Sequence, residues 1–145
     1  MKNLVIIGHP DKNSFCHSGI FSKVKKILED HPNQKIETID LYNDKLHRDK
    51  KDLISNYKKL VTWSDRIYFI SPVWWFRLTP KMETFFDEVF TPGWAYKFVN
   101  ITKLYAYPKP FLKDKKVRTY ITHGAPMLPV ITLYLNSVKL RLVMG

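Results

Sequence analysis

Residues 66–96, RIYFISPVWWFRLTPKMETFFDEVFTPGWAY, constrain the fold more than any other stretch. Ile67, Tyr68, Phe69 and Ile70 form a short continuous apolar run, the pattern of a strand buried on both faces. Ser71-Pro72 follows. Proline has no N–H to give a central ladder, so the strand is expected to break there. Trp74, Trp75 and Phe76 then fall on a loop. Thr79 suits a helix N-cap and Pro80 the first helical position. Met82, Phe85, Phe86, Val89 and Phe90 recur at helical spacing, which leaves one apolar face. Thr91-Pro92-Gly93 stops the helix. The aromatic loop therefore sits at the carboxyl end of a buried strand, the edge where open α/β sheets bind ligands.

The rest of the chain repeats this alternation. Residues 3–7 (NLVII) read as a buried strand ending at Gly8. The loop GHPDKNS carries turn chemistry, and Ser14 is placed to cap a helix with Ile20, Phe21, Val24, Ile27 and Leu28 on one side. Residues 35–41 (KIETIDL) form a shorter, more polar strand, expected near the sheet edge. Asp49 is expected to cap a second helix, whose apolar side is Leu53, Ile54, Tyr57, Leu60 and Val61. Residues 91–115 show little regular pattern yet hold Trp94, Tyr96, Phe98, Tyr105, Tyr107 and Phe111; a loop that long is uncommon, and usually functional or mobile. Residues 117–122 (VRTYIT) read as a fourth strand and 128–144 as a helix, with Ile131, Tyr134, Leu135, Val138 and Leu142 on one face. Strands alternating with helices imply a parallel sheet covered on both faces by right-handed crossovers.

Composition narrows the class. A chain of 145 residues suits one domain, residues 1–145, with one core. No repeat, low-complexity tract or linker divides it. Cys16 is the only cysteine, which excludes an internal disulfide and a cysteine-based metal site and fits a reducing, cytoplasmic setting. The opening apolar run is too short for a signal peptide, and the most apolar window, 127–135, is about half a membrane span. The net charge of +11 draws anionic partners such as phosphates and nucleotides. Its lysines are scattered in pairs, as on solvated helix faces.

Three loops share the carboxyl edge of the expected sheet. The first, GHPDKNS, opens a helix and offers His9, Lys12 and the Ser14 hydroxyl to an anion, although Gly8-His9-Pro10 alone reads equally as a turn. It is neither GxxxxGK[ST] nor GxGxxG. The second presents flat aromatic surface, suited to a planar heteroaromatic ring or, alternatively, to a protein interface. The third, Thr122-His123-Gly124-Ala125, allows close backbone approach at Gly124. Phosphate at one loop and a flat ring between two others describe a nucleotide-like cofactor, for which an isoalloxazine ring fits best.

GHPDKNSF (8–15), SPVWWFRLTPKMETFFDEVFTPGWAY (71–96) and ITHGAP (121–126) together resemble the flavodoxin-like NAD(P)H:quinone oxidoreductase family. That family includes quinone reductases, bacterial modulators of drug activity and ancillary reductases of potassium efflux systems. The resemblance runs over nearly the whole chain, and the middle block is its most specific part. It implies that His9, Ser14, Phe15 and Cys16 hold the phosphate end of FMN or FAD. Pro72, Val73, Trp74, Trp75 and Phe76 clasp the flavin ring from one side, and Thr122, His123, Gly124 and Ala125 from another. It implies ping-pong hydride transfer from NAD(P)H through the flavin to a quinone-like acceptor, in a homodimer whose aromatic segment around residues 94–98 lies near the partner subunit. His123 is the implied polar group beside the reduced ring.

This sequence also departs from the family pattern. Cys16 stands where many members have asparagine. Pro126-Met127-Leu128-Pro129 occupies the place where quinone reductases carry a tyrosine and a histidine, so the resemblance assigns no acid–base residue. Family members continue with a fifth strand and a final helix past the position of Gly145. The expected architecture is therefore a flavodoxin-like open parallel sheet with helices on both faces, lacking that strand and helix. Residues 117–122 would then be an exposed edge or one covered by another subunit. An alternative function is a regulatory or ancillary subunit of this fold, with weak or no turnover, docked on a membrane transporter. A basic nucleic-acid-binding domain fits less well, because no recognised nucleic-acid motif accompanies the charge.

Overall fold

The computed structural model describes residues 1–100, 102 and 106–132. Its main sheet is built from β1 (Lys2–Ile7), β2 (Lys35–Asp40), β3 (Arg66–Trp74) and β7 (Lys116–His123). They run parallel in the order β2-β1-β3-β7, and a two-residue strand, β4 (Arg77–Leu78), folds back antiparallel on the end of β3. The order reverses between β1 and β3, which puts a topological switch point there. Helices α1 (Ser22–Glu29), α2 (Lys51–Trp63) and α3 (Pro80–Val89) join these strands, and α4 (Met127–Thr132) follows β7. A second, two-stranded antiparallel sheet pairs β5 (Tyr96–Asn100) with β6 (Ala106–Pro110).

Strand alternation sends successive side chains to opposite faces, and the core divides accordingly. Leu4, Ile6, Ile67 and Phe69 meet Tyr57, Val61, Met82 and Phe85 of α2 and α3. Val5, Ile7, Tyr68 and Ile70 meet Cys16, Val24 and Leu28 on the other side. Odd-numbered residues of β3 thus face α2 and α3, and even-numbered ones face α1. The sheet centre is apolar on both faces, as the continuous runs in β1 and β3 require.

Several local expectations need correction. The strand does not break at Ser71-Pro72; β3 continues to Trp74. The Ile70 carbonyl accepts the Gly8 N–H where β1 ends. Pro72, two residues on, turns its missing N–H to that same vacated side, so no ladder bond is lost. Trp74 accordingly belongs to the strand, and only Trp75 and Phe76 form the turn.

Asp49 does not cap α2. The preceding position is Lys50, with no side-chain cap bond. Thr79 does occupy the N-cap of α3, but its hydroxyl donates to the Gly8 carbonyl at 2.8 Å instead of to its own helix. Glu83 Oε1 accepts the Leu78 N–H at 3.1 Å beside that helix start. Ile27 is 49% exposed despite its spacing.

Residues 91–115 are more regular than expected, since β5 and β6 lie within them. Pro108 and Pro110 hide this ribbon from pattern reading. Lys115 is no solvated lysine: it donates to the carbonyls of Thr62 and Ser64 at the end of α2, at 2.9 and 2.7 Å. Of the helix expected over 128–144, residues 127–132 are helical, and Ile131 is exposed. Tyr134, Leu135, Val138 and Leu142, like Tyr105, lie outside the described residues. Among the described residues no helix is long and apolar enough to cross a membrane. Among the described residues β2 and β7 are the outer strands of the main sheet, and residues 116–119 of β7 are exposed.

Candidate functional site

The carboxyl ends of β1, β3 and β7 bring the three expected loops to one edge. Gly8 is gripped on two sides: its N–H bonds Ile70 and its carbonyl accepts from Thr79. A Cβ there would approach Thr79 Oγ1 to 3.0 Å and the Met82 side chain to 3.1 Å, so a larger residue would make those side chains give by a few tenths of an ångström.

Beyond Gly8 the loop is braced by its own polar side chains. His9 Nδ1 accepts the Asp11 N–H at 3.0 Å, Asp11 Oδ1 accepts from Asn13 N–H at 2.8 Å, and Ser14 Oγ donates to the Asp11 carbonyl at 2.7 Å. Ser14 Oγ also accepts from the His17 N–H at 3.4 Å, but the N-cap position is Phe15, with no side-chain cap bond. The helix it opens starts as a π-helical turn, Cys16–Phe21, before α1. Phe15 lies 69% exposed across Gly19, where a Cβ would come within 2.4 Å of its ring.

Behind the loop lies a charged cluster the sequence did not suggest. Lys12 Nζ pairs with Asp40 Oδ2 at the end of β2. The buried His17 donates from Nε2 to the His9 carbonyl at 3.1 Å and stands 3.9 Å from the same carboxylate. Asp40 Oδ1 accepts from the Tyr42 and Asn43 N–H groups. Burial alone would raise the Asp40 carboxyl, but Lys12, the Asn43 N–H and His17 together hold it below the ordinary carboxylate value.

A carboxyl lowered on folding stabilises the fold fully above its unfolded value and loses that contribution as pH falls through the lowered one. Replacing Asp40 with asparagine should therefore lower the urea midpoint near neutrality, with the difference shrinking on acidification. Midpoints measured from about pH 6 to about pH 2.5 test this. A difference that stays constant across that range would show that Asp40 does not act through its charge.

The second loop is a tight hairpin. Trp74 pairs with Arg77, and Trp75 and Phe76 between them carry φ of 49° and 62°. Two successive left-handed residues make a type I′ turn, which asparagine and glycine enter easily and bulky aromatics resist. Trp74, Trp75 and Phe76 are 41%, 92% and 48% exposed, so none is ordinary core. The Trp74 ring meets His9 edge-on with centroids 5.7 Å apart, which joins the second loop to the first.

The third loop joins through β7. Pro72 pairs with Thr122 and Val73 with His123. Cys16 is buried, with Sγ 3.4 Å from Thr122 Oγ1, which links the third loop to the first. Gly124 and Ala125 are exposed, and a Cβ on Gly124 would meet nothing within 4 Å. By strand alternation His123 projects to the α2–α3 face, opposite Trp74 and Thr122. The structure therefore gathers all the expected residues at one edge, with His123 on the far face of the sheet from the tryptophan.

Residues 1–129 match the family described as Flavodoxin-like fold. The chain belongs to that family. Among flavodoxin-like relatives, it is 34% identical over 96 residues to the uncharacterized NAD(P)H oxidoreductase YdeQ of Bacillus subtilis, a match covering 66% of this chain and 45% of the relative. It is 24% identical over 143 residues to FMN-dependent NADH:quinone oxidoreductase 2 of Bacillus licheniformis, covering 79% of this chain and 65% of the relative. The chain thus spans less than two thirds of either curated relative. The crystal structure of Smu.1420 from Streptococcus mutans superposes with a TM-score of 0.76 at 26% identity, over 90% of this chain and 72% of that one. The flavodoxin-like switch point between β1 and β3 is where the three loops meet.

Proposed function

We propose that the chain is a flavin-dependent NAD(P)H oxidoreductase acting on a quinone-like acceptor. The observation that carries this reading is the exposed aromatic hairpin at the end of β3, outside both cores and in ring contact with the first loop. The family membership and the names of the two curated relatives support it. FMN is the favoured flavin, because the Bacillus licheniformis relative is FMN-dependent.

The residues at this edge fit a flavin best at its ring. Trp74, Trp75 and Phe76 offer flat apolar surface, and the open side of Gly124 leaves room above the third loop. Pro72, Val73 and the segment 122–125 would close the slot. His9, Ser14, Phe15 and Cys16 would lie toward the phosphate end. There the donors already have partners: Ser14 Oγ bonds Asp11 and Lys12 pairs with Asp40, so a phosphate would exchange with those groups. When bound, the flavin supplies the two-electron hydride chemistry between NAD(P)H and the acceptor. The chain's part is to orient the ring, keep water from one face and set donors near developing negative charge.

A homodimer belongs to the same proposal. Phe98, Val99 and Tyr107 of the β5–β6 ribbon are exposed apolar surface that a second copy would cover. A cytoplasmic setting would keep the unpaired Cys16 reduced.

The visible absorption spectrum of the purified protein, with chromatography of the released cofactor, tests the reading. A yellow protein that releases FMN is expected. A protein that stays colourless after incubation with excess FMN and FAD would end the case.

A further inference from the structure

Arg77 puts an exposed cation on β4, beside the aromatic turn. It stands opposite Trp74 in the antiparallel pair that closes the hairpin. Directly opposed residues in such a pair project from the same face, with Cβ atoms about 4.5–5.5 Å apart. Parity confirms the side: Leu78, opposite Val73, packs into the α2–α3 core. Trp74 and Arg77 therefore share the α1 face, where Trp74 meets His9. Arg77 is exposed, and among the described residues its side chain makes no hydrogen bond, ion pair or ring contact. By contrast, Lys12 at the first loop pairs with Asp40.

The hairpin also fixes the backbone that carries this cation. Trp75 and Phe76 hold left-handed φ values that cost backbone strain, and strain of this kind persists where a site requires its geometry. An arginine paired directly opposite a tryptophan on one face can present a planar surface and an anion fork together. That combination matches a ligand with a flat ring and a phosphate, since the guanidinium can take two phosphate oxygens at once.

We infer that Arg77 is a specificity residue that binds a phosphate group at the mouth of the aromatic slot. The inference rests on the flavin reading for its ring-binding half. The phosphate has two sources, the tail of the flavin cofactor or the dinucleotide co-substrate. Either ligand would lay its ring on Trp74 or Trp75 while the guanidinium holds its anion.

Tryptophan-fluorescence titrations of the full chain separate these sources and need no turnover. The probes are FMN against riboflavin, which lacks the phosphate, and NADP⁺ against NAD⁺, which lacks the 2′-phosphate. Arg77→Gln removes the charge while leaving the backbone pairing of β4 intact, and Arg77→Lys keeps the charge without the fork.

If the flavin tail is the source, Arg77→Gln weakens FMN about tenfold and leaves riboflavin unchanged. If the dinucleotide is the source, NADP⁺ weakens about tenfold and FMN does not; equal loss of NAD⁺ places the contact at the diphosphate. In either case Arg77→Lys recovers part of the loss. Unchanged binding of both FMN and NADP⁺ overturns the inference, as does equal loss of FMN and riboflavin, or no saturable binding of any probe by the unaltered protein. A protein that binds NADP⁺ through Arg77 yet takes up no flavin would sink the flavin reading and leave this one standing.

Discussion

Replacing Trp74 with alanine should weaken flavin retention about fivefold to a hundredfold, whereas Lys25→Ala should leave it unchanged. An aromatic side chain stacked on a nucleobase contributes about 1–3 kcal/mol by alanine substitution, and an isoalloxazine offers at least as large a face. Trp74 ends β3 rather than riding on the turn, so its backbone is held by the sheet and its ring is braced against His9. The alanine variant keeps the Arg77 pairing, which uses backbone groups, so the loss reports the ring itself. Among the described residues, Lys25 pairs with Glu29 on an exposed face of α1. Flavin dissociation constants of the two variants decide the matter. Equal retention would remove Trp74 from the site and with it the observation on which the proposed function stands.

How much of this was legible in the sequence depended on the range of the interaction involved. The strands β1 and β3 and the apolar faces of α2 and α3 could be read because their residues repeat with the period of the element they form. Thr79 shows the limit: local chemistry placed it correctly at an N-cap, but its hydroxyl goes to Gly8, 71 positions away in sequence. Pro72 misled for a similar reason. Its tolerance in β3 depends on where β1 stops, which no pattern near Pro72 records.

The ribbon β5–β6 escaped notice because Pro108 and Pro110 argue against a strand. The Phe111 N–H bonds the Ala95 carbonyl, so by alternation both prolines fall on the residues that do not face the partner ladder. At the site, the three loops were readable because each bears distinctive residues at a strand end. The links between them were not. The Cys16–Thr122 contact, the His9–Trp74 edge and the Lys12–Asp40–His17 cluster all join distant segments. Trp75 and Phe76 at left-handed φ run against intrinsic preference, and a preference-based reading assigns such residues to an open loop rather than to a two-residue turn.

Phe85→Ala should cost the most of any single change considered, about 3–5 kcal/mol of folding stability. Phe85 is fully buried and lies at the centre of the aromatic cluster, with ring centroids 5.5 Å from Tyr57, 6.1 Å from Phe69, 6.2 Å from Phe86 and 5.9 Å from Phe90. Those rings belong to α2, β3, α3 and the residue that ends α3, so the cavity would open where three elements meet and could not close by moving one of them. A domain of this size has about 5–15 kcal/mol in total, so the variant would lie near the limit of folding. Phe85→Leu keeps much of the volume and should cost about 1–2 kcal/mol, which leaves a measurable transition if alanine does not. Ile27→Ala is the control. It changes a residue of similar apolar character at helical spacing, but one left 49% exposed on α1, and it should shift stability by no more than about 0.5 kcal/mol. Urea midpoints at constant slope order the three variants. If Phe85→Leu proves as mild as Ile27→Ala, the α2–α3 face is not the packed core that carries β3, and the rigid base assumed beneath the Trp74 hairpin is lost with it.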